Sequence, residues 1–266
     1  MNKKLILNYK LKKKNYDFWL KRLNKKKSNL VCSKDERLNN FENDYMINSL
    51  KDNKSIFEIG CGNGVLLKKL IKKKKIKYYL GTDFVKELVD ENKKLIKKKN
   101  IHFDQLDMTL IKPNTFSKKF DYIISKRAVQ NVLSRKLQLK SIDNMGNFLK
   151  KNGLMFLMES SLTAQKNINK YRKIFGLHKI IPPWHNLFLD DSSIKKHKFK
   201  RVKLIKIENF SSSFYFITRI IYAAYAKFKN QKVNFKNPLN LIATSVDNKI
   251  IKEDFSQIKM YIFKKK

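Results

Sequence analysis

The stretch Ser55-Ile56-Phe57-Glu58-Ile59-Gly60-Cys61-Gly62-Asn63-Gly64-Val65-Leu66-Leu67 decides the fold of this chain. Its first half is a short apolar run of the kind that forms a buried strand, and it ends in glycines at alternate positions. Its second half opens the segment VLLKKLIKKKK, in which Val65, Leu66, Leu70 and Ile71 fall at helix spacing. A glycine turn between strand and helix lets the backbone approach a ligand without Cβ obstruction, while the helix that follows presents free N–H groups. A nucleotide-like ligand is the expectation. The spacing is G-x-G-x-G, neither the G-x-G-x-x-G of dinucleotide sites nor the G-x-x-x-x-G-K-[ST] of a phosphate loop.

Outward from this turn the pattern alternates. KYYLGTDF reads as a second strand and VKELVDENKKLIKKK as a second amphipathic helix, with Leu88, Val89, Leu95 and Ile96 on one face. IHFDQL is strand three, FDYIIS strand four, and about Val132 to Lys150 a helix closed by the turn Lys151-Asn152-Gly153. LMFLMES is a fifth strand, and RVKLIKIENF and KMYIF supply two more after a less regular stretch. Successive strand–helix units of this length predict an α/β fold with a doubly wound, mostly parallel, seven-stranded sheet. Three regions follow: a helical segment over 1–50, a core over 51–161, and 162–266 as lid insertions plus the last two strands.

The 266 residues are enough to bury about 70% of the unfolded surface, which excludes a disulfide-stapled mini-protein. With 42% hydrophobic residues and 12% aromatics the chain is too apolar for disorder, although its formal net charge is +39. Only seven of the 61 basic residues are arginine, beside 27 asparagines. Lys, Asn, Ile, Phe and Tyr share A/T-rich codons, so the lysines read mainly as solvated faces reflecting nucleotide bias, not as a nucleic-acid surface. Cys32 and Cys61 make no disulfide framework, which points to a reducing compartment. Leu5–Leu7 gives way at once to Asn8, Tyr9 and lysines, too short an apolar core for a signal peptide. The most apolar later stretch, Phe214 to Ala226, contains Arg219 and falls short of the roughly 18 residues that span a bilayer. A soluble cytoplasmic protein is expected.

Ligands of doubly wound sheets bind beyond the carboxyl ends of the strands. Asp83 closes strand two, where a carboxylate can accept from both hydroxyls of a ribose. Asp107 follows strand three, placed to accept from an exocyclic adenine amine, with Met108 offering an apolar face. Asp121 and Ser125 bracket strand four. Each acid alone reads as a solvated end or a helix cap; their succession along the strand ends is a sharper pattern.

Through FEIGCGNG, GTDF, QLDM, FDYIISKRAVQNV and NGLMFLMES, in that order from about Ser55 to Ser160, the chain resembles the class I S-adenosylmethionine-dependent methyltransferases. The resemblance implies a Rossmann-like methyltransferase fold and S-adenosylmethionine as cofactor. It places Gly60, Gly62 and Gly64 along the methionine part, with Cys61 in the same loop at a variable position and without a redox role. It places Glu58 at the amino group, Asp83 at the ribose, Asp107 with Met108 around the adenine, and Ser125 near the sulfonium and the substrate entrance, with Phe84 also among the cofactor-binding residues. SKDERL, YRKIFGLHKIIPPWHN and NFSSSFYFITRIIY resemble a bacterial group associated with surface-polysaccharide and sugar biosynthesis. That likeness implies a small-molecule or glycan acceptor, methylated on a hydroxyl or less often an amine.

Methyl transfer from a sulfonium is a direct displacement, so the protein has chiefly to align the acceptor and exclude water. No metal is expected, since the histidines and cysteines have no ligand-like spacing. A sugar hydroxyl benefits from a nearby base. His185, within Pro182-Pro183-Trp184-His185-Asn186, is the first candidate, with Trp184 to stack on a sugar face and Glu159, at the end of strand five, as the second. The alternative is that Trp184 and His185 simply anchor a lid loop. Arg172, with Tyr171, is placed to pin an anionic sugar nucleotide or a carboxylate, or else forms an exposed ion pair. Tyr215 belongs to an aromatic helical stretch that reads as packing or as substrate contact. Tyr16 and Trp19 are positioned to close over the cofactor. An RNA methyltransferase is the competing reading, favoured by charge. Against it, Ser125-Lys126-Arg127 follows strand four in place of the Asn/Asp-Pro-Pro-aromatic loop of base-amino methylases, and no RNA-binding module is attached. A non-catalytic cofactor-binding partner subunit is a third.

Overall fold

The computed structural model describes residues 3–25 and 35–266; Cys32 and the Ser33-Lys34 lead-in lie outside them. Seven strands, β1 (Lys54–Ile59), β2 (Ile76–Asp83), β3 (Ile101–Gln105), β4 (Phe120–Lys126), β5 (Leu149–Ser160), β6 (Val202–Glu208) and β7 (Ile258–Lys265), form one sheet in the order β3-β2-β1-β4-β5-β7-β6. The first five are mutually parallel, and β7 runs antiparallel to both β5 and β6. The expected mixed, mostly parallel sheet is the one observed.

Helices α1 (Lys3–Lys25), α2 (Glu36–Asn48), α3 (Val65–Lys73), α4 (Lys86–Leu95), α5 (Arg135–Met145), α6 (Leu162–Ile174), α7 (Asp191–Lys196), α8 (Ser212–Phe216), α9 (Tyr222–Phe228) and α10 (Pro238–Ser245) flank it. Strands buried on both faces supply two cores. Ile56, Tyr79, Ile124 and Phe156 meet Met46 of α2, Leu67 of α3 and Ile168 of α6 on one side. Phe57, Leu80, Ile123 and Met155 meet Ile142 of α5 and Ile194 of α7 on the other. This two-sided burial is why β1 reads as a near-continuous apolar run rather than an alternation.

Register then fixes the site. Ile59 stands opposite Thr82 on β2 and Ser125 on β4, and Asp83 opposite Gln105 on β3. The residues that follow these pairs, Gly60, Asp107 and Lys126, come out together with Asp83 along one rim, at the point where the chain leaves β1 for strands on either side.

Two elements differ from the sequence expectation. The helix expected to reach Lys150 stops at Met145 and tightens into a 3-10 turn, Gly146–Phe148, where Gly146 packs so closely on β6 that a Cβ would lie 2.6 Å from Val202 Cγ1. The expected Lys151-Asn152-Gly153 turn is instead a bulge within β5: Phe120 to Tyr122 on β4 faces Leu149 to Leu154, and Asn152 takes φ +64°. The aromatic helix near the C-terminal end is continuous from α8 to α9 through a π-helical turn, Ile217–Ile221.

Phe57 is fully buried among the rings of Phe116, Phe120 and Phe148. Phe57→Ala is expected to cost about 3–5 kcal/mol, seen as a lower urea midpoint with unchanged slope.

Candidate active site

Beyond the rim lies a cavity of about 180 Å³. Gly60 and Gly62 form its floor, both with left-handed backbone, φ +74° and +54°. At Gly60 the constraint is absolute, since a Cβ would lie 2.2 Å from Ala128 Cβ, so the turns after β1 and β4 sit back to back. The Gly62 N–H donates to Asp83 Oδ2 at 2.9 Å, and Asp83 Oδ1 accepts from the Val85 N–H at 3.0 Å. Burial raises the Asp83 carboxyl above its ordinary value, against the opposing pull of these amides. Phe84, Val85, Leu88, Leu106 and Met108 make the adjoining wall apolar.

Asp107 stands at the same edge, its Oδ1 capping the short turn Met108–Leu110 by accepting from the Thr109 N–H at 2.8 Å. Its Oδ2 is ion-paired at 2.6 Å with Lys12 of α1. That helix closes the cavity from above: Leu11, Lys12, Asn15 and Trp19 all line it. Asn15 Nδ2 donates to the Asn131 carbonyl at 3.0 Å, and the Tyr16 hydroxyl donates to Glu87 Oε2 at 2.5 Å with its ring edge-on to Phe84. Trp19 lines the cavity, and Tyr16 flanks Phe84 outside it.

Several expected residues stand behind this surface instead of on it. Glu58 is buried below the loop, accepting from the Tyr79 hydroxyl, and burial pushes its carboxyl up to about 7. Cys61 is buried against Asn92 Nδ2, and Gly64 is the N-cap of α3. Ser125 is fully buried and donates to Glu159 Oε1 at 3.1 Å. Glu159 in turn accepts from the N–H groups of Ala128, Val129 and Gln130, and burial, opposed by these donors, pushes its carboxyl up to about 7. It holds the loop after β4 in place and does not line the cavity.

The other assigned side chains sit elsewhere. His185 is buried between the rings of Phe18, Trp19 and Trp184, stacked on Phe18 at 4.1 Å between centroids. Burial, and secondarily the charge of Arg22, pushes its imidazole down to about 4. Together with Trp184, which carries Lys14 over its ring, it clamps α1 onto the 182–186 loop, as the lid-anchor alternative has it. Arg172 binds the carbonyls of His178 and Arg219, joining α6 to the π-helical turn. Tyr215 is buried under the Arg219 guanidinium. None of these residues lines the cavity. The lining residues that were not assigned include the polar and charged Lys12, Asn15, Asn39, Lys126, Arg127 and Asn131. The basic pair directly after strand four was a visible signal; Lys12 was hidden in a lysine run.

Among the described residues no cluster of His, Cys, Asp and Glu could hold a metal ion, and no helix is long and apolar enough to cross a membrane.

Residues 50–202, more than half of the chain, match the family described as Methyltransferase domain, and the chain belongs to that family. An uncharacterized protein of Rickettsia prowazekii (strain Madrid E) is 29% identical over 126 residues, 46% of this chain and 49% of its own length. The chain therefore spans about half the length of the curated relative it matches. Among solved structures, N-methyltransferase NodS from Bradyrhizobium japonicum WM9 in complex with S-adenosylhomocysteine superposes with a TM-score of 0.55 at 11% identity, covering 94% of this chain and 98% of that one. Magnesium protoporphyrin IX methyltransferase from Synechocystis PCC 6803 with bound S-adenosylhomocysteine gives 0.55 at 13%, covering 99% and 100%. A TehB-like S-adenosylmethionine-dependent methyltransferase from Corynebacterium glutamicum gives 0.51 at 13%, covering 85% and 88%. Identities this low establish shared fold. By family the chain carries a methyltransferase domain, and its fold is the one shared by these S-adenosylmethionine-dependent methyltransferases, whose cofactor is S-adenosylmethionine.

The cleft fits such a molecule. Bare backbone at Gly60 and Gly62 leaves room for it, Asp83 offers carboxylate lone pairs, Met108 and Leu88 give apolar surface, and the amide oxygens of Asn15 and Asn131 are buried without a hydrogen-bond partner.

Two outcomes test these assignments. Glu159→Gln turns an amide NH₂ toward a set of converging donors and is expected to lower stability by about 1–3 kcal/mol in urea unfolding. For His185, the folded value of about 4 lies below the ordinary 6.5, so the unfolded chain takes up a proton first as pH falls. Stability conferred above about pH 6.5 should erode toward pH 4, and His185→Gln should lose that part of the pH dependence in thermal melts.

Proposed function

We propose that this protein transfers the methyl group of S-adenosylmethionine to a hydroxyl or amine of a small polar acceptor, a sugar or glycan precursor. The observation that carries the reading is one cleft in which the glycine floor, Asp83 and the Asp107–Met108 edge lie on one side, and polar side chains of α1, α2 and the loop after β4 on the other. The sugar assignment is supported by the sequence likeness of the segments around Tyr171, Trp184 and Phe214.

When bound, S-adenosylmethionine supplies a methyl group made electrophilic by its sulfonium. Asp83 accepts hydrogen bonds from ribose hydroxyls, its orientation fixed by Gly62 and Val85. Asp107 must exchange or share its Lys12 partner to reach an adenine amine. Helix α1 keeps water from the reacting atoms, and Asn15 and Asn131 present amide oxygens to the hydrogens of an acceptor hydroxyl or amine. Alignment of the acceptor falls to these wall residues, since Glu159 and His185 are engaged in holding the loop and the helix.

The net charge of +39 favours a second reading, methylation of RNA. Calorimetry separates the two: S-adenosylhomocysteine should bind the unaltered chain, and Asp83→Ala should weaken it about tenfold or more, while RNA should bind only weakly and lose that binding as salt rises. Unchanged affinity in Asp83→Ala removes the ribose assignment; tight, saturable RNA binding favours the second reading.

A further inference from the structure

On the opposite side of β1 from Asp83 and Asp107, the cavity wall is cationic. Lys126 closes β4 and Arg127 follows it directly, and both line the cavity. Lys126 is aimed from α2, its Nζ donating to Asn39 Oδ1 at 2.6 Å and Asn43 Oδ1 at 2.5 Å. Arg127 takes φ +57°, a left-handed conformation that costs an arginine energy and persists only where its surroundings enforce it. The enforcement is Glu42 of α2, fully buried and ion-paired with the guanidinium, together with the Glu159 grip on the next three residues.

Lys126 and Arg127 both approach the carboxylate of Glu42, and Arg219 behind them pairs with Asp35 at 2.8 Å. Buried polar atoms without hydrogen-bond partners gather at the same place: Arg127 Nε, Glu42 Oε2 and Asn43 Nδ2, with Asn15 Oδ1 and Asn131 Oδ1 at the α1 end. A native interior leaves few such atoms unsatisfied, and a strained backbone holding a charged side chain at a cavity wall points to a ligand. A planar guanidinium and an ammonium side by side suit an oxyanion.

We infer that Lys126 and Arg127, braced by Glu42 and Asn39, form an acceptor subsite that selects a small molecule bearing an oxyanion, a carboxylate or a phosphate, with hydroxyl or amine hydrogens turned toward Asn15 and Asn131. The inference rests on the cofactor reading above and extends it to the class of acceptor. It also moves anion recognition from Arg172, which is committed to backbone carbonyls, to the cleft itself.

The test uses the full chain saturated with S-adenosylhomocysteine, titrated calorimetrically with inorganic phosphate and, separately, acetate, at a salt concentration that screens exposed lysines. At least one anion should bind the unaltered chain, and which one tells a phosphate acceptor from a carboxylate acceptor. Arg127→Gln should weaken that binding about tenfold or more, with Arg127→Lys between the two and S-adenosylhomocysteine affinity held within about twofold. Because a lone Arg127→Gln strands the Glu42 charge, the double variant Glu42→Gln/Arg127→Gln, which removes both members of the pair, is measured alongside and should show the same loss. Absence of binding by both anions, or anion affinity unchanged in a folded variant, overturns the subsite. So does a parallel loss of S-adenosylhomocysteine affinity, which makes the cofactor's own carboxylate the partner. Failure of S-adenosylhomocysteine to bind the unaltered chain is a different result: it overturns the cofactor reading, and the subsite with it.

Discussion

The carboxylate of Glu159 is the tie on which this cleft depends. It sits at the end of β5, entirely out of solvent, and collects the Ser125 hydroxyl and the N–H groups of Ala128, Val129 and Gln130. Parallel pairing of β4 with β5 brings the acid beside the turn that leaves β4, so one side chain satisfies three backbone donors that would otherwise be buried and unpaired. With the turn fixed, Ala128 presses against Gly60 and leaves no room for a larger residue there, Gln130 receives the Leu187 N–H through its carbonyl, and Asn131 meets α1. The glycine floor, the cationic wall and the covering helix all take their positions from that turn.

The cleft is electrostatically divided by the order of the strands. Acids follow β2 and β3, bases follow β4, and the glycine turn after β1 separates them. The two halves are supported differently. Asp83 is held by backbone amides of its own loop, a local arrangement, whereas Lys126 and Arg127 are held by Asn39, Glu42 and Asn43, which come from a helix more than 80 residues earlier in the chain. Helix α2 is therefore part of the site without carrying any recognisable motif.

This difference explains what was legible in the sequence. β1, the turn and α3 are written in a short stretch whose apolar run, glycines and helix spacing all agree, and the strand-end acids follow from sheet topology; Asp83, Asp107 and Met108 do line the cavity. Glu58 and Ser125 are equally near in sequence, yet pleat alternation turns them into the sheet interior, where Tyr79 and Glu159 take them up. The β5 bulge at Asn152 resembled a helix-ending turn because Lys-Asn-Gly suits both, and its pairing with β4, a partner distant in sequence, is what makes it a bulge. His185 and Trp184 carried the right chemistry for a site but spend it on rings of α1. Side-chain partnerships between distant segments, such as Lys12 with Asp107 or Glu42 with Arg127, leave no periodicity to read.

Helix α1 has one further consequence. It lies over the cleft as a strap, fastened by Lys12 to Asp107, by Asn15 to Asn131, by Tyr16 to Glu87, and by the cluster of rings around His185. Every one of these fastenings is made by a side chain of α1 to a residue outside the helix, and one of its anchor points, Asp107, is also a wall of the chamber beneath. The passage of molecules between chamber and solvent is thereby linked to the docking of the chain's first helix: traffic through the door and attachment of the door draw on the same few contacts.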